Sequence, residues 1–324
     1  MSDQLDPGVR LPYWRSMLDA ISQEPWFGYG WQQVGAAQQR VALDHPPMSD
    51  YFEHSHNFIL DLLLWNGIPV GILISILLAW WLVSRVREVA DAGSVWFLVL
   101  VSGILIHGML EFPLEYAYFL IPLGLVMGSL EGLSPSKKQL QVPPKAAALL
   151  VGMLAALFVW IATEYLSVEE AQRTLSLESA RIGVSGISTP IQSRRLLNQL
   201  EAFQRFASTE VTPSMSPDQL EWMRKVSQRF GYPSALFRYA LAAGLNGQPR
   251  IARYTLDRLC RIHPRERCDE AQTGWRSLRT RYPQLSEIAP PTTPSNTEAN
   301  KGIGGQIRIK SSGESASAVQ QTKF

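Results

Sequence analysis

The chain has 324 residues, of which 46% are hydrophobic and 18% are charged, and its formal net charge is +2. A charge so close to zero gives no support to nucleic-acid binding. The length allows about two domains. Because the apolar residues are concentrated between Phe58 and Ala162, we expect a membrane part and a soluble part.

Residues 1–56 are predicted to lie outside the membrane. No basic stretch leads into an apolar core, so the region lacks the pattern of a signal peptide. Met1 to Gly8 is expected to be irregular and Gln38 to Asp50 to be a polar loop. A short amphipathic helix near Pro12 is predicted from apolar residues at helical spacing, namely Trp14, Met17, Leu18 and Ile21.

Residues 57–165 are predicted to hold four membrane spans, at about 57–84, 93–112, 115–131 and 145–165. Arg85 and Arg87 follow the first span, and lysines separate the third from the fourth, whereas the turn at 111–115 has no basic residue. By the positive-inside rule the basic loops are cytoplasmic. Residues before the first span and after the fourth then face the periplasm of a Gram-negative cell.

Residues 166–288 are predicted to form a soluble helical domain, followed by a disordered tail at 289–324 that is rich in Pro, Ser, Thr, Gly and Gln. Helix starts are predicted at Thr189-Pro190, Ser216-Pro217, Pro233 and Pro249. Residues 235–246 and 251–262 are similar to one tetratricopeptide-like hairpin. The expected fold class is therefore all-α, with about four membrane helices before a helical-hairpin domain.

Two cysteines, Cys260 and Cys268, flank His263-Pro264. On the oxidising side of a membrane they could form a disulfide. A metal site built on Cys-x2-His-x4-Cys would lack a fourth ligand and proper spacing. We therefore favour the disulfide over two free thiols, and both over a metal site.

A polar cluster, Glu53-His54-Ser55-His56-Asn57, directly precedes the first span. Histidine suits proton transfer near neutral pH, although two interfacial histidines could instead bond to loop carbonyls. His107 and Glu111 lie one turn apart near the outer end of the second span. They are either functional ionisable groups or partners in a mutual hydrogen bond that holds the helix end.

The segment His56 to Gly71, with its His-Asn start, leucine run and Gly-Ile-Pro-Val-Gly end, resembles a signature of the bacterial O-antigen ligase family. Gly8 to Trp14 is similar to the family's Arg-x3-Trp segment, and Pro25 to Trp31 to its Pro-x2-Gly-x-Gly segment. Family members carry many membrane helices before the first of these motifs. We therefore expect this sequence to be the C-terminal part of a longer transferase.

This resemblance implies a multi-pass glycosyltransferase of the bacterial inner membrane. The helical domain predicted at residues 166–288 favours the family's protein O-oligosaccharyltransferase branch, of PglL type, because that branch also carries a helical C-terminal extension. The implied donor is a lipid-linked oligosaccharide on polyprenyl pyrophosphate, and the implied acceptor is a serine or threonine of a secreted protein such as pilin. No cofactor and no metal are implied.

The resemblance also assigns roles to individual residues. His56 would be the general base, with His54 as the second choice, and Asn57 would orient the histidine or its loop. Arg10 would stabilise the departing pyrophosphate, and weaker candidates for that role are Arg15 and Arg40.

Two alternatives stay open from the sequence. The first is a ligase or polymerase that acts on lipid A core or glycan. The second is an inactive membrane-anchored scaffold whose helical hairpins bind a periplasmic partner.

Overall fold

The computed structural model describes residues 7–89, 91–133, 142–179 and 196–293. Within these ranges the regular structure is helical and no strand occurs, so the all-α prediction is confirmed for the described residues. Short 3₁₀ helices cover Pro113–Glu115 and Pro283–Leu285. The α-helices are α1 Pro7–Gln23, α2 Val34–Val41, α3 Phe58–Arg87, α4 Ala92–Gly108, α5 Ala117–Leu133, α6 Pro144–Ser179, α7 Asn198–Ser208, α8 Pro217–Arg229, α9 Pro233–Leu245, α10 Pro249–Ile262 and α11 Arg265–Arg281.

Four apolar helices, α3 to α6, lie where the four spans are predicted. Two helical stretches are long and apolar enough to cross a membrane, namely α3 and the Pro144–Glu170 part of α6. The helices α4 and α5 are shorter, at 17 residues each, and pack against one another through side chains that include Val101 and Leu123. By length and composition, at least two of the described helices could therefore cross a membrane.

The helix α3 consists of two halves that meet at Gly67, where the backbone has φ 76° and ψ 172°. This break leaves backbone groups that the turn Pro25 to Gly30 satisfies. Tyr29 N donates to Leu64 O at 2.7 Å, and Ile68 N donates to Pro25 O at 2.7 Å. The approach is close enough that a Cβ on Gly67 would lie 2.4 Å from Trp26 O. The turn at Pro25 to Gly30 and the break at Gly67 therefore bond to each other through their backbones, and together they form one joint.

An alanine at Gly67 should destabilise this joint. The substitution combines a positive φ, which costs an L-residue about 1–3 kcal/mol, with a collision against backbone atoms of Trp26. Gly103→Ala is the matched control, because a Cβ there meets nothing within 4 Å. We expect the thermal unfolding midpoint of the detergent-solubilised protein to fall for Gly67→Ala and to stay near wild type for Gly103→Ala. Equal midpoints for the two variants would contradict the joint.

The helix α1 differs from its prediction in extent and in buried face. It begins at Pro7, within the stretch expected to be irregular, and it contains Pro12. Leu18, predicted on the apolar face, is 54% exposed. Met17 and Ile21 are buried as predicted, and Tyr13 and Ala20 complete the buried face, which has four-residue spacing.

The helix α2 occupies part of the segment predicted as a polar loop, and that prediction is wrong for Gln38 to Val41. Gln38 and Gln39 are buried. Gln38 Nε2 donates to Asp50 O at 2.8 Å, and Gln39 Nε2 donates to Gln228 O at 2.8 Å. Their polarity indicated exposure to solvent, but buried amides are stable when they are hydrogen-bonded.

The helices after α6 largely follow their predicted starts. Helices α8, α9 and α10 begin at Pro217, Pro233 and Pro249, and α8 has a capping box between Ser216 and Gln219. The predicted start at Thr189-Pro190 lies outside the described residues. The sequence did not predict α11, because most of its surface is charged and its buried residues are few: Cys268, Ala271 and Trp275.

The helices α9 and α10 form a hairpin whose packing includes Ala243 and Leu256. A disulfide between Cys260 and Cys268, with Cα atoms 4.8 Å apart, joins α10 to α11. Residues 289–293 of the predicted tail lie against these helices; for example, Arg253 Nη1 donates to Pro290 O at 2.8 Å. The rest of the predicted tail lies outside the described residues.

The helices after α6 pack on the segment that leads to the histidines. Gly231 N donates to the Tyr51 hydroxyl at 3.2 Å, and the Tyr232 hydroxyl donates to Glu53 at 2.8 Å. Met48 N donates to Arg261 O at 3.1 Å. The helical domain therefore supports the loop immediately before His54.

Candidate functional site

Three residues that the sequence analysis named meet at one point. Glu111, after the end of α4, lies between Arg10 of α1 and His56. Its Oε1 accepts from Arg10 Nη2 at 3.3 Å, and its Oε2 lies 3.2 Å from His56 Nδ1. His56 is only 3% exposed. The fold therefore brings an arginine, a carboxylate and a histidine that are far apart in the sequence into one row.

The loop that carries the histidines is fixed on both sides. From α1, the Tyr13 hydroxyl donates to His54 O at 3.2 Å and Trp14 Nε1 donates to Ser55 O at 2.9 Å. From α3, the buried Asp61 accepts from Ser55 N at 2.8 Å. His56 itself has φ 56°, an uncommon value for a residue other than glycine. These bonds hold a backbone conformation that points the ring at Glu111.

Asn57 is the N-cap of α3. Its Oδ1 accepts from Ile59 N at 3.1 Å and from Leu60 N at 3.3 Å, which satisfies donors that the first helical turn leaves open. The Asn57 side chain thus contacts the start of α3 in this structure. The backbone of Asn57 contacts the histidine loop, since Asn57 O accepts from the Ser55 hydroxyl at 2.9 Å.

A second histidine–glutamate arrangement lies beside the first. The Phe112 ring stacks on His54 with centroids 5.0 Å apart and presents an edge to His56 at 5.1 Å. His54 Nδ1 lies 3.9 Å from Glu115 Oε1, which is too long for a hydrogen bond. Gln32 Nε2 donates to Glu115 Oε2 at 2.8 Å. The turn between α4 and α5 therefore covers both histidines.

The charge state of His56 depends on three neighbours and on burial. Burial lowers the pKa of His56 below its ordinary value, the hydrogen bond and charge of Glu111 act in the opposite direction, and the charges of His54 and Arg10 lower the pKa further. The net shift is downward. A lowered pKa keeps the imidazole neutral near pH 7, which is the form that can accept a proton.

The other two predicted arginines lie elsewhere. Arg15 follows Arg10 by five residues, so it is rotated by about 140° around α1, and it is exposed. Arg40 is exposed on α2, and its Nε donates to Gln23 Oε1 at 3.1 Å, at the opposite end of α1 from Arg10. The structure therefore brings Arg10, but neither Arg15 nor Arg40, to Glu111 and His56.

Reasoning from the sequence left the partner of Glu111 undecided. The side chains of His107 and Glu111 do not bond to each other, because the Glu111 side chain turns to Arg10 and His56 while the His107 ring meets Phe119 at 6.0 Å. The two residues are joined only through the backbone, where Glu111 N donates to His107 O at 2.9 Å. The sequence feature that could have identified Glu111 as the partner of His56 is the turn at 111–115. It has two glutamates and no basic residue, and it is predicted to lie on the same side of the membrane as the histidines. Among the residues the structure describes, no cluster of three or more His, Cys, Asp or Glu side chains could hold a metal ion.

Two known protein families match this chain, and between them they cover all three residues of the row. Residues 2–75 match the family described as O-antigen ligase, and residues 95–277 match the family described as virulence factor membrane-bound polymerase, C-terminal. The first range holds Arg10 and His56, and the second holds Glu111. No solved structure matches.

Two curated relatives come from Acinetobacter baylyi. A general O-oligosaccharyltransferase is 31% identical over 261 residues, which is 79% of this chain and 44% of the relative. A ComP-specific O-oligosaccharyltransferase is 36% identical over 127 residues, which is 39% of this chain and 23% of the relative. The chain thus spans less than half the length of each relative. Because the family match over residues 95–277 covers more than half of the chain, the chain belongs to the family described as virulence factor membrane-bound polymerase, C-terminal, and it is similar to O-antigen ligases and to O-oligosaccharyltransferases.

Proposed function

We propose that this chain is part of a protein O-oligosaccharyltransferase, which moves a glycan from polyprenyl pyrophosphate to a serine or threonine hydroxyl of a protein such as pilin. The row Arg10–Glu111–His56 carries the proposal. It places a neutral imidazole, the group that suits proton removal from a hydroxyl, beside a guanidinium that suits a pyrophosphate. The printed names of both relatives favour a protein acceptor over lipid A core.

The hydrogen bond to Glu111 selects the tautomer of His56. An ionised carboxylate only accepts hydrogen bonds, so Nδ1 of a neutral His56 carries the proton that faces Glu111. The lone pair is then on Nε2, which is the atom that takes the acceptor's hydroxyl proton. The same arrangement of carboxylate and imidazole stabilises the imidazolium that forms.

Transfer then proceeds as one displacement. The acceptor oxygen forms a bond to the anomeric carbon as its proton passes to His56 Nε2. The bond from that carbon to the pyrophosphate oxygen breaks, and the pyrophosphate leaves with the electron pair. Arg10 stabilises the charge that develops on the leaving group, and in doing so its guanidinium is shared between the pyrophosphate and Glu111.

The test of the function is transfer by full-length protein in membranes, supplied with a polyprenyl-pyrophosphate glycan and a serine peptide. We expect the glycan to appear on the serine peptide and not on its alanine counterpart. Glycan on lipid A core but not on peptide would favour the ligase alternative. No transfer to either acceptor would favour the scaffold.

The pH dependence of transfer should shift in opposite directions for two variants. The base acts in its neutral form, so activity rises as pH passes upward through the pKa of His56. Glu111 raises that pKa and the charge of Arg10 lowers it. The acid limb of the rate profile should therefore move to lower pH in Glu111→Gln and to higher pH in Arg10→Ala. Unmoved limbs in both variants would contradict His56 as the titrating base.

The proposed topology has four spans, with the active site and the helical domain, including its tetratricopeptide-like hairpin, in the periplasm. Reporter fusions after Arg87 and Lys138 should report cytoplasm, and fusions after Glu115 and Arg181 should report periplasm. A cytoplasmic signal at Arg181 would place the helical domain on the opposite side of the membrane from His56 and contradict this arrangement.

A further inference from the structure

The break at Gly67 separates two halves of α3 that have different surroundings. In the first half, Leu64 and Trp65 are buried in a core that they share with α1. In the second half, residues 68–87, apolar side chains are exposed; Ile76, for example, is 58% exposed. This half has no charged residue until its last turn, so it has the surface that a membrane helix presents to lipid. The part of α3 that could cross a membrane therefore begins at the break.

The length of α4 shows how far the membrane helices extend on the side of the break. A short connection joins α3 to α4, so the two helices run antiparallel, and Leu78 and Leu82 of the second half of α3 pack against a cluster that α4 contributes to. The 17 residues of α4 extend about 25 Å, whereas the second half of α3 extends about 30 Å. The end of α4 therefore reaches the level of the break and not beyond it.

The contact of Phe58 shows where the first half of α3 lies. A Cβ on Gly108, the last residue of α4, would lie 3.2 Å from Phe58 Cδ1. A straight α3 would instead place Phe58, its first residue, about 13 Å beyond Gly67 along the helix axis. Both ends of the first half are thus level with the ends of the membrane helices. The first half therefore runs along those ends, on the side where His56 lies.

Large aromatic side chains project from the protein at the same level. Trp26 is 69% exposed and Phe27 is 88% exposed. Their turn is fixed to the start of the second half of α3, because Ile68 N donates to Pro25 O at 2.7 Å. At the start of α5, after the turn that covers the histidines, Tyr118 is 67% exposed. Exposed rings therefore lie at the ends of α3 and α5 that are on the side of the candidate site.

The position of these rings indicates what covers them. Tryptophan and tyrosine are enriched at the boundary between membrane and water, where one end of the side chain meets apolar chains and the other meets water. An isolated patch of exposed rings would fit a protein partner equally well. These rings, however, are continuous with the exposed apolar surface of a helix that is suited to lipid. The surface of a bilayer is therefore the partner that matches both the rings and the adjoining helix.

We propose that the turn that carries Trp26 and Phe27 is a membrane-surface anchor, with both rings inserted between the lipid head groups and the nearest part of the acyl chains. Tyr118 contacts the same layer of lipid from α5. The anchor holds the first half of α3 along the bilayer surface, which places the candidate site at the level of the head groups. The proposal requires that α3 crosses a membrane. It goes beyond the proposed function, because it does not depend on glycan transfer.

The test uses full-length protein with one reactive cysteine that carries an NBD dye; Cys260 and Cys268 are joined and do not react with it. The dye is attached in separate proteins at Phe27→Cys, at Ile76→Cys in the middle of the second half of α3, and at Ser277→Cys, an exposed position of α11. Each protein is reconstituted in vesicles of phosphatidylethanolamine and phosphatidylglycerol. The lipids carry a quenching spin label either near the head group or deep in the acyl chain, and iodide is the quencher in water.

We expect the dye at Phe27→Cys to lose more fluorescence to the shallow spin label than to the deep one. The dye at Ile76→Cys should show the reverse, and the dye at Ser277→Cys should be quenched by iodide alone. Quenching by iodide alone at Phe27→Cys would overturn the anchor, and quenching by none of the three would do so by showing that protein covers the turn. Stronger quenching there by the deep spin label would place the turn inside the bilayer and contradict a surface anchor. Trp26→Cys gives the same reading if Phe27→Cys does not fold.

Discussion

Replacing His56 with alanine should lower the rate of glycan transfer by about 10²- to 10⁴-fold, the usual loss when a general base is removed. The reason is that His56 Nε2 is the proposed proton acceptor, while Nδ1 is occupied by Glu111 at 3.2 Å. The measurement is the initial rate in membranes that contain equal amounts of full-length wild-type and variant protein.

Two histidine controls accompany this variant. His45→Ala should keep the wild-type rate, because His45 binds Asp19 at 2.9 Å, outside the Arg10–Glu111–His56 row. His54→Ala should cause a smaller loss than His56→Ala, since His54 supports the site by stacking on Phe112. An inactive His54→Ala beside an active His56→Ala would show that the two roles are exchanged.

Arg10→Lys should keep the positive charge and still lose much of the activity. A guanidinium can hold Glu111 and a pyrophosphate oxygen through separate N–H groups, whereas lysine is a compact point charge. Loss of a contact that stabilises developing negative charge costs about 2–4 kcal/mol, or roughly 30- to 10³-fold in rate. Arg10→Ala should lose at least as much, and both variants are measured with saturating acceptor peptide.

Arg15→Lys is the matched comparison, because it makes the same change on an exposed face of the same helix. Wild-type rates for both Arg10→Lys and Arg10→Ala would contradict the pyrophosphate assignment. A loss at Arg15 or Arg40, with none at Arg10, would move the assignment to that residue.

The pattern of neighbouring residues was sufficient to predict several features of this protein. Long apolar runs predicted the positions of α3 to α6, and prolines predicted the starts of α8, α9 and α10, of which only α8 has a capping side chain before its proline. Both kinds of signal depend on neighbouring residues and on the hydrophobic effect along one helix. The same applies to the choice of His56 and Arg10, which relied on short motifs.

Only the tertiary structure decided the features that depend on partners distant in the chain. Glu111 pairs with Arg10 across 101 residues and with His56 across 55. The burial of Gln39 depends on Gln228 across 189 residues. A polar side chain has the same local signal whether it faces solvent or a buried partner, so its environment is determined by which helices pack around it.

The sequence by itself determined an all-α chain with membrane helices and a histidine–asparagine pair before the first of them. The tertiary structure decided that α3 breaks at Gly67 against the turn at Gly28. It also decided that a carboxylate from the next loop completes the site. These outcomes require backbones and charges from separate segments to approach within about 3 Å, a condition that packing of the whole fold imposes and no single segment encodes.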